Sequence, residues 1–326
     1  MREGGVTYLD AVTAALEDEM TLDERVVLIG EDIGVMGGAF RATRGLFDRF
    51  GAERVIDTPI SETAIVGGAI GMAIAGLRPV AELQFADFIS CAYDQIVTEA
   101  AKLHYRFGVP VPLVIRAPSG GGVGAGPFHS QNPEGIFAHV PGLKVVCPWS
   151  VQDAYHLLRA AIRDPNPVLF FEHKALYRSQ RGDLTRSQPA QPLGRAAVRR
   201  SGGDVTLLSY GGLVGRCLEV ADLLHAEGAS VEVIDLRTVY PLDIETILAS
   251  VTKTSRLVVV HEDTLSSGIG AEVAARVAEH AFHCLDAPIR RITAPDTPVP
   301  FALPLETAFI PSASRIAEGV RACLTY

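Results

Sequence analysis

The chain has 326 residues, 48% of them hydrophobic and 21% charged, with a formal net charge of −9 at neutral pH. That length covers two domains of ordinary size, and the composition excludes disordered and fibrous classes. The acidic balance, with no basic stretch to offset it, argues against a nucleic-acid partner.

The N-terminal MREGGVTYLD has no apolar h-region, so no signal peptide is expected. The uncharged run Ala64–Leu77 falls short of the roughly 20 residues that span a bilayer, so no membrane partner is expected. Five cysteines (Cys91, Cys147, Cys217, Cys284, Cys323) are scattered without a CxxC pair. That pattern fits reduced thiols in a cytoplasmic protein.

Helical and strand patterns alternate from end to end, which predicts an α/β fold with mainly parallel sheets. Tyr8–Met20 reads as an amphipathic helix, followed by strands at Arg25–Gly30 and Arg54–Asp57. Ala64–Leu77 reads as a buried helix with Ser61 as its N-cap, then come a strand at Arg78–Gln84, a helix at Ser90–Phe107 and a strand at Pro112–Ala117. A long loop, Pro118–Pro133, leads to a strand at Leu143–Cys147, a helix at Val151–Arg163 and a strand at Val168–Glu172. From Lys174 to Gly203 no apolar period survives, so this stretch holds the linker. The second half restarts with strands at Asp204–Ser209, Ser230–Leu236, Arg256–His261 and Ile289–Thr293. Helices are expected between and after them at Leu213–Glu227, Asp243–Ser250, Ala271–Ala281 and Ser312–Cys323.

Three stretches carry candidate chemistry. In DTPISETAIVGGAIGMAIAG, Glu62 is a lone acid at the front of the uncharged helix, either a functional group or a first-turn acid favoured by the helix dipole. Gly67, Gly71 and Ala75 recur every four residues and would let a partner surface approach closely. The loop PSGGGVGAGPFHSQNPEG is rich in glycine, which lets backbone approach a ligand, although a surface loop is an equal reading. It fits neither the dinucleotide fingerprint nor the P-loop. His129 within it is followed by Ser130 and Gln131, which could orient its ring for proton transfer. Gln84, Phe85, Asp87 and Phe88 follow a strand end, where an aromatic either stacks on a ligand or fills the core.

Together, DTPISETAIVGGAIGMAIAGLRPVAELQFADF, RAPSGGGVGAGPFHSQNPEGIFAHVPGLKVVCPWS, AIRDPNPVLF and APDTPVPF resemble one family from about Thr7 to the C-terminus. That family is the β subunit of the thiamine-diphosphate-dependent first component of 2-oxo acid dehydrogenase complexes. The resemblance implies a transketolase-like pyrimidine-binding domain over residues 1–180, a linker over 181–203, and a transketolase C-terminal-like domain over 204–326. It also implies an α2β2 heterotetramer in which the α subunit holds Mg²⁺ and the diphosphate. In keeping with that, neither RGDL at Arg181 nor GGDV at Gly202 supplies the family's Gly-Asp-Gly with a downstream Asn.

Carried over residue by residue, Glu62 matches the acid that hydrogen-bonds the aminopyrimidine ring. In apolar surroundings a carboxylate loses hydration, which favours sharing a proton with a ring nitrogen. Phe88 matches the aromatic of the same pocket and Gln84 an adjoining wall position, where some members have Met. His129 matches the histidine implied in passing the acyl group to the lipoyl arm. Leu113, Ala161, Ile162, Asp164 and Asn166 match positions that bind a structural potassium ion, mostly through carbonyls. The C-terminal domain is where the family docks its dihydrolipoamide acyltransferase core. The implied substrate is a small 2-oxo acid, with a branched-chain one favoured by FHSQNPEG and LQFADF and pyruvate or acetoin as alternatives. The readings from other classes are a single-chain transketolase, an NAD-binding α/β protein and a non-catalytic scaffold.

Overall fold

The first helix, α1 (Tyr8–Leu22), begins where the sequence supplies its own cap. The Thr7 hydroxyl accepts from the Asp10 N–H at 3.1 Å while the Asp10 carboxylate accepts from the Thr7 N–H at 3.0 Å. That reciprocal pair satisfies two backbone donors at the helix start. The structure, a computed structural model, describes residues 5–188 and 191–326. Two compact units emerge: one runs to Ser119 and resumes over Ile136–Leu193, the other takes Gly120–Gly135 with Gly194–Tyr326.

The first unit carries strands β1 (Val26–Glu31), β2 (Val55–Thr58), β3 (Arg78–Glu82), β4 (Val114–Ser119), β5 (Lys144–Val146) and β6 (Val168–His173). They pair in parallel in the order β5-β6-β4-β3-β1-β2. Strands β4 and β6 are buried at every residue, as expected of a parallel sheet covered on both faces. Helix α2 (Glu62–Ile74) packs on β3, and α3 (Val151–Arg163) packs along α1. Val12 and Leu16 share one core with Leu158 and Ile162. The chain steps outward from β1 to β2 and then sets β3 on the other side of β1. Strand order therefore reverses between β1 and β3, and the crevice outside their carboxyl ends is where open α/β sheets bind ligands.

The second unit carries β7 (Ala197–Arg200), β8 (Val205–Ser209), β9 (Val231–Asp235), β10 (Leu257–Thr264) and β11 (Arg290–Ala294), in the order β11-β10-β8-β9-β7. All pairings are parallel except that of β7 with β9. Its helices are α4 (Val214–Ala226), α5 (Ile244–Thr254), α6 (Ile269–Ala281), α7 (Leu303–Phe309) and α8 (Ala313–Leu324). Asp243 and Ser312 cap α5 and α8 through the Thr246 and Arg315 N–H groups. Here too the order reverses, between β8 and β10.

Several expectations need correction. The expected linker contains β7, and Arg181–Gly182 pairs with Val6–Thr7. A half-exposed edge strand needs only one neighbour, so its sequence shows no apolar run. Residues 189 and 190 of that segment, like residues 1–4, lie outside the described residues. The expected helix Ser90–Phe107 is a 3₁₀ turn at Ala86–Ala92, a wide π turn at Gln95–Ala100 and an α-helix only from Ala101 to Phe107. Ile96, Val97 and Thr98 are three β-branched residues in a row, and they crowd a tight α turn. Ser61 stands at the N-cap of α2, yet its hydroxyl makes no capping bond. That helix buries Ile65, Val66, Ala69, Ile70 and Ala73 but leaves Ala64, Gly68, Gly71 and Ala75 exposed, so it is not buried all round.

Candidate active site

The crevice between β1 and β3 gathers three of the residues singled out from sequence. Glu62 opens α2 directly after β2, and it is half-buried. Gln84 and Phe88 follow β3 within a few residues. The Gln84 amide donates to the Asp32 carboxylate at 3.1 Å, and Asp32 sits just past β1 with φ 59°. Phe85 meets Phe88 edge-on with ring centroids 5.8 Å apart, and meets Phe40 at 5.3 Å. These contacts give a wall of interlocked rings.

Sequence reasoning missed Glu31, the last residue of β1. Burial pushes its carboxyl above the ordinary range, helped by the charges of Asp32 and Glu62. Acids that accept hydrogen bonds, close to aromatic rings, suit a heteroaromatic ring that carries N–H donors. The sequence offers only an acid at the end of an apolar strand, and it is the reversal of strand order that places this acid in a ligand crevice.

A buried ion cluster lies under this wall. Arg116 of β4, 1% exposed, spans Glu82 of β3 and Glu172 of β6. Its Nε and Nη2 donate to the two Glu172 oxygens at 2.6 and 2.7 Å, and the Tyr177 hydroxyl donates to Glu172 at 2.6 Å. Glu82 is raised by burial against the opposing pull of Arg116. The sequence hid this cluster, since each of the three charges stands in a separate strand.

The glycine-rich loop belongs to the second unit and carries His129, which is half-buried and whose N–H donates to the Gly126 carbonyl at 3.3 Å. The Ser130 hydroxyl is buried with no hydrogen-bond partner among the described residues, so it does not orient the His129 ring as expected. Acids surround the loop, Glu134, Glu262 and Glu306 buried and Asp263 half-buried. Glu134 is pushed up to about 8 by burial, then by the nearby Asp263 charge, while a hydrogen bond with Tyr210 opposes the rise. Burial raises Asp263 to about 6. His261 is driven down to about 4 by burial, and its Nε2 accepts from the Gly270 N–H at 3.1 Å. It is a neutral core histidine stacked on Tyr210. Among the described residues, no three His, Cys, Asp or Glu side chains form a metal-binding group.

The five positions expected to bind potassium lie at the opposite, amino-terminal edge of the first sheet. Leu113 precedes β4, Asn166 precedes β6, and Ala161, Ile162 and Asp164 end α3. The Leu113 carbonyl accepts from the Val168 N–H at 2.9 Å, the Ala161 carbonyl from the Asp164 N–H at 3.2 Å, and the Ile162 carbonyl from Arg78 at 2.8 Å. Lys144 donates to the Asp164 carboxylate at 2.5 Å, and His104 Nδ1 lies 2.6 Å from the Asn166 side-chain oxygen. Each carbonyl retains a second lone pair, which is the donor chemistry that a monovalent cation takes.

Residues 4–180 match the family described as transketolase, pyrimidine binding domain, and residues 194–316 match transketolase, C-terminal domain. The 2-oxoisovalerate dehydrogenase subunit beta of Bacillus subtilis is 47% identical, over 97% of this chain and 98% of that protein. The 3-methyl-2-oxobutanoate dehydrogenase subunit beta of Mycobacterium tuberculosis is 46% identical, over 98% and 92%. The pyruvate dehydrogenase E1 component subunit beta of Staphylococcus epidermidis is 45% identical, over 98% and 99%. Among solved structures, a split gene transketolase in an inactive beta4 tetramer has a TM-score of 0.79 at 23% identity, covering 99% of both chains, a likeness of fold. With both domain families matched in order and relatives this similar over their full length, the chain belongs to the β subunits of thiamine-diphosphate-dependent 2-oxo acid dehydrogenases.

Proposed function

We propose that this chain lends the aminopyrimidine-facing half of a thiamine diphosphate site to an α2β2 heterotetramer whose substrate is a branched-chain 2-oxo acid. The observation that carries the reading is the acid-lined, ring-walled crevice at β1 and β3, in a chain 47% identical to a 2-oxoisovalerate dehydrogenase subunit beta. When bound, the cofactor supplies the electron sink for decarboxylation. Glu62 shares a proton with a nitrogen of the pyrimidine ring, Phe88 walls that ring, and Gln84 closes the side next to Asp32. His129 donates a proton to, or orients, the acyl group as it passes to a lipoyl arm.

The α subunit holds Mg²⁺ and the diphosphate, and the C-terminal domain docks the dihydrolipoamide acyltransferase core, in the cytoplasm. Leu113, Ala161, Ile162, Asp164 and Asn166 hold a potassium ion. A partner chain is supported by the apolar side chains that the first unit leaves exposed, Val35, Ile60 and Tyr105 at 84%, 74% and 96%. Among the described residues, no helix is long and apolar enough to cross a membrane.

Co-expression with the α chain and assay of decarboxylation across branched-chain 2-oxo acids, pyruvate and acetoin tests the reading. The expected result is highest kcat/KM for a branched-chain acid, dependent on thiamine diphosphate and on the α chain. Highest kcat/KM for pyruvate would replace the substrate assignment, in line with the 45% identity to a pyruvate dehydrogenase subunit. Full activity of this chain without an α subunit would overturn the half-site.

A further inference from the structure

Two buried carboxylates hold the glycine-rich loop and take no part in the chemistry above. Glu306 of α7 is fully buried and Glu262 of β10 is 7% exposed. Glu306 accepts the Gly122 N–H on Oε1 at 2.9 Å and the Gly124 N–H on Oε2 at 3.0 Å. Glu262 Oε1 accepts the Gly121 N–H at 2.5 Å and the Asn132 amide at 3.2 Å.

We propose that Glu306, seconded by Glu262, is a positioning residue for acyl transfer, fixing the backbone of the loop and with it the place of His129. The inference rests on the reading of His129 given above. Hydrogen bonds to a carboxylate are about twice as strong as neutral ones, and burial removes the water that would compete for them. Gly122 and Gly124 have φ of 80° and 71°, a backbone open to glycine at little cost, which turns two alternate N–H groups onto one carboxylate. A Cβ at Gly121 would lie 3.2 Å from Glu306 and 3.3 Å from Glu262, so the backbone approaches both acids closely. His129 stands between Gly124 and Asn132, and the Gly120 N–H donates to the Gln131 carbonyl at 3.1 Å, so the chain is tied on both sides of it.

Glu306→Gln keeps the shape but turns one acceptor into an NH₂ donor facing a backbone N–H. The test uses the assembled complex with α chain, thiamine diphosphate and Mg²⁺, comparing wild type, Glu306→Gln, His129→Ala and the double variant. Decarboxylation is read with an artificial electron acceptor, and acylation with a lipoyl domain. Glu306→Gln is expected to lower acylation about tenfold and the acceptor assay by a smaller factor, with little further loss of acylation in the His129→Ala background. Glu262→Gln, read the same way, serves if Glu306→Gln does not fold. An equal factor of loss with and without His129, or equal losses in both assays, overturns the proposal and makes the pair structural only. If His129→Ala lowers acylation and Glu306→Gln does not, the proposal falls and the reading of His129 stands. If His129→Ala leaves acylation intact, that reading fails and takes the proposal with it.

Discussion

Replacing Arg116 by Met removes the cation that bridges Glu82 and Glu172 while roughly keeping its volume. The guanidinium makes three charge-assisted bonds at a site 1% exposed, and its two partners are 4% and 0% exposed. Breaking a buried ion pair by deleting one partner costs about 3–5 kcal/mol, because the remaining charge is uncompensated. For a unit of this size, each kcal/mol lowers the midpoint by about 2–4 °C, so a drop of roughly 6–20 °C is expected near neutral pH. The sign with pH follows from Glu82, already raised by burial and opposed by Arg116. Without the arginine its folded carboxyl rises further above its unfolded value. The folded variant then binds more protons than the unfolded chain, so its stability is greatest in acid and is lost as pH rises. The deficit against wild type should therefore be smaller near pH 5 than near pH 7.5. Thermal unfolding followed by circular dichroism at both pH values measures it. A midpoint within about 2 °C of wild type at neutral pH would refute the reasoning. Arg116→Lys should fall between the two, since an ammonium keeps the charge but loses the fork.

Glu62→Gln should keep the fold and lower decarboxylation about a hundredfold or more in the mixed complex, because the ring nitrogen loses its proton partner. Near-normal turnover would sink that role. His129→Ala should cost lipoyl acylation more than turnover with an artificial acceptor; equal losses would count against the transfer role. Burial holds the Glu134 and Asp263 carboxyls above their ordinary values in the folded chain, pushed up to about 8 and about 6. The folded state thus holds extra protons between roughly pH 4.5 and 8, and stability falls as pH rises through that window, by about 1.4 kcal/mol per unit for each extra proton. Glu134→Gln should flatten that slope in thermal scans, and an unchanged slope would mean another group carries it.

Most of the element order was legible because hydrophobic periodicity is local. The helix at Val151–Arg163 matches to the residue, where Ser150 accepts the Asp153 N–H at 3.1 Å. The motifs around Glu62, Gln84, Phe88 and His129 were likewise readable one by one. What the sequence could not settle was whether Glu62 is a helix-tip acid or part of a crevice, because that depends on strand order. Only the reversal between β1 and β3 brings Glu31, Glu62 and the Phe85–Phe88 pair to one edge. The same holds for Arg116, which looks like an isolated charge in an apolar strand until Glu82 and Glu172 arrive from neighbouring strands. The glycine-rich loop shows the limit most clearly. Its glycines announce a backbone that must bend, but the acids that bend it come from residues 262 and 306, well over a hundred positions downstream. Local pattern determines which residues can form an element; long-range register alone decides which charges meet.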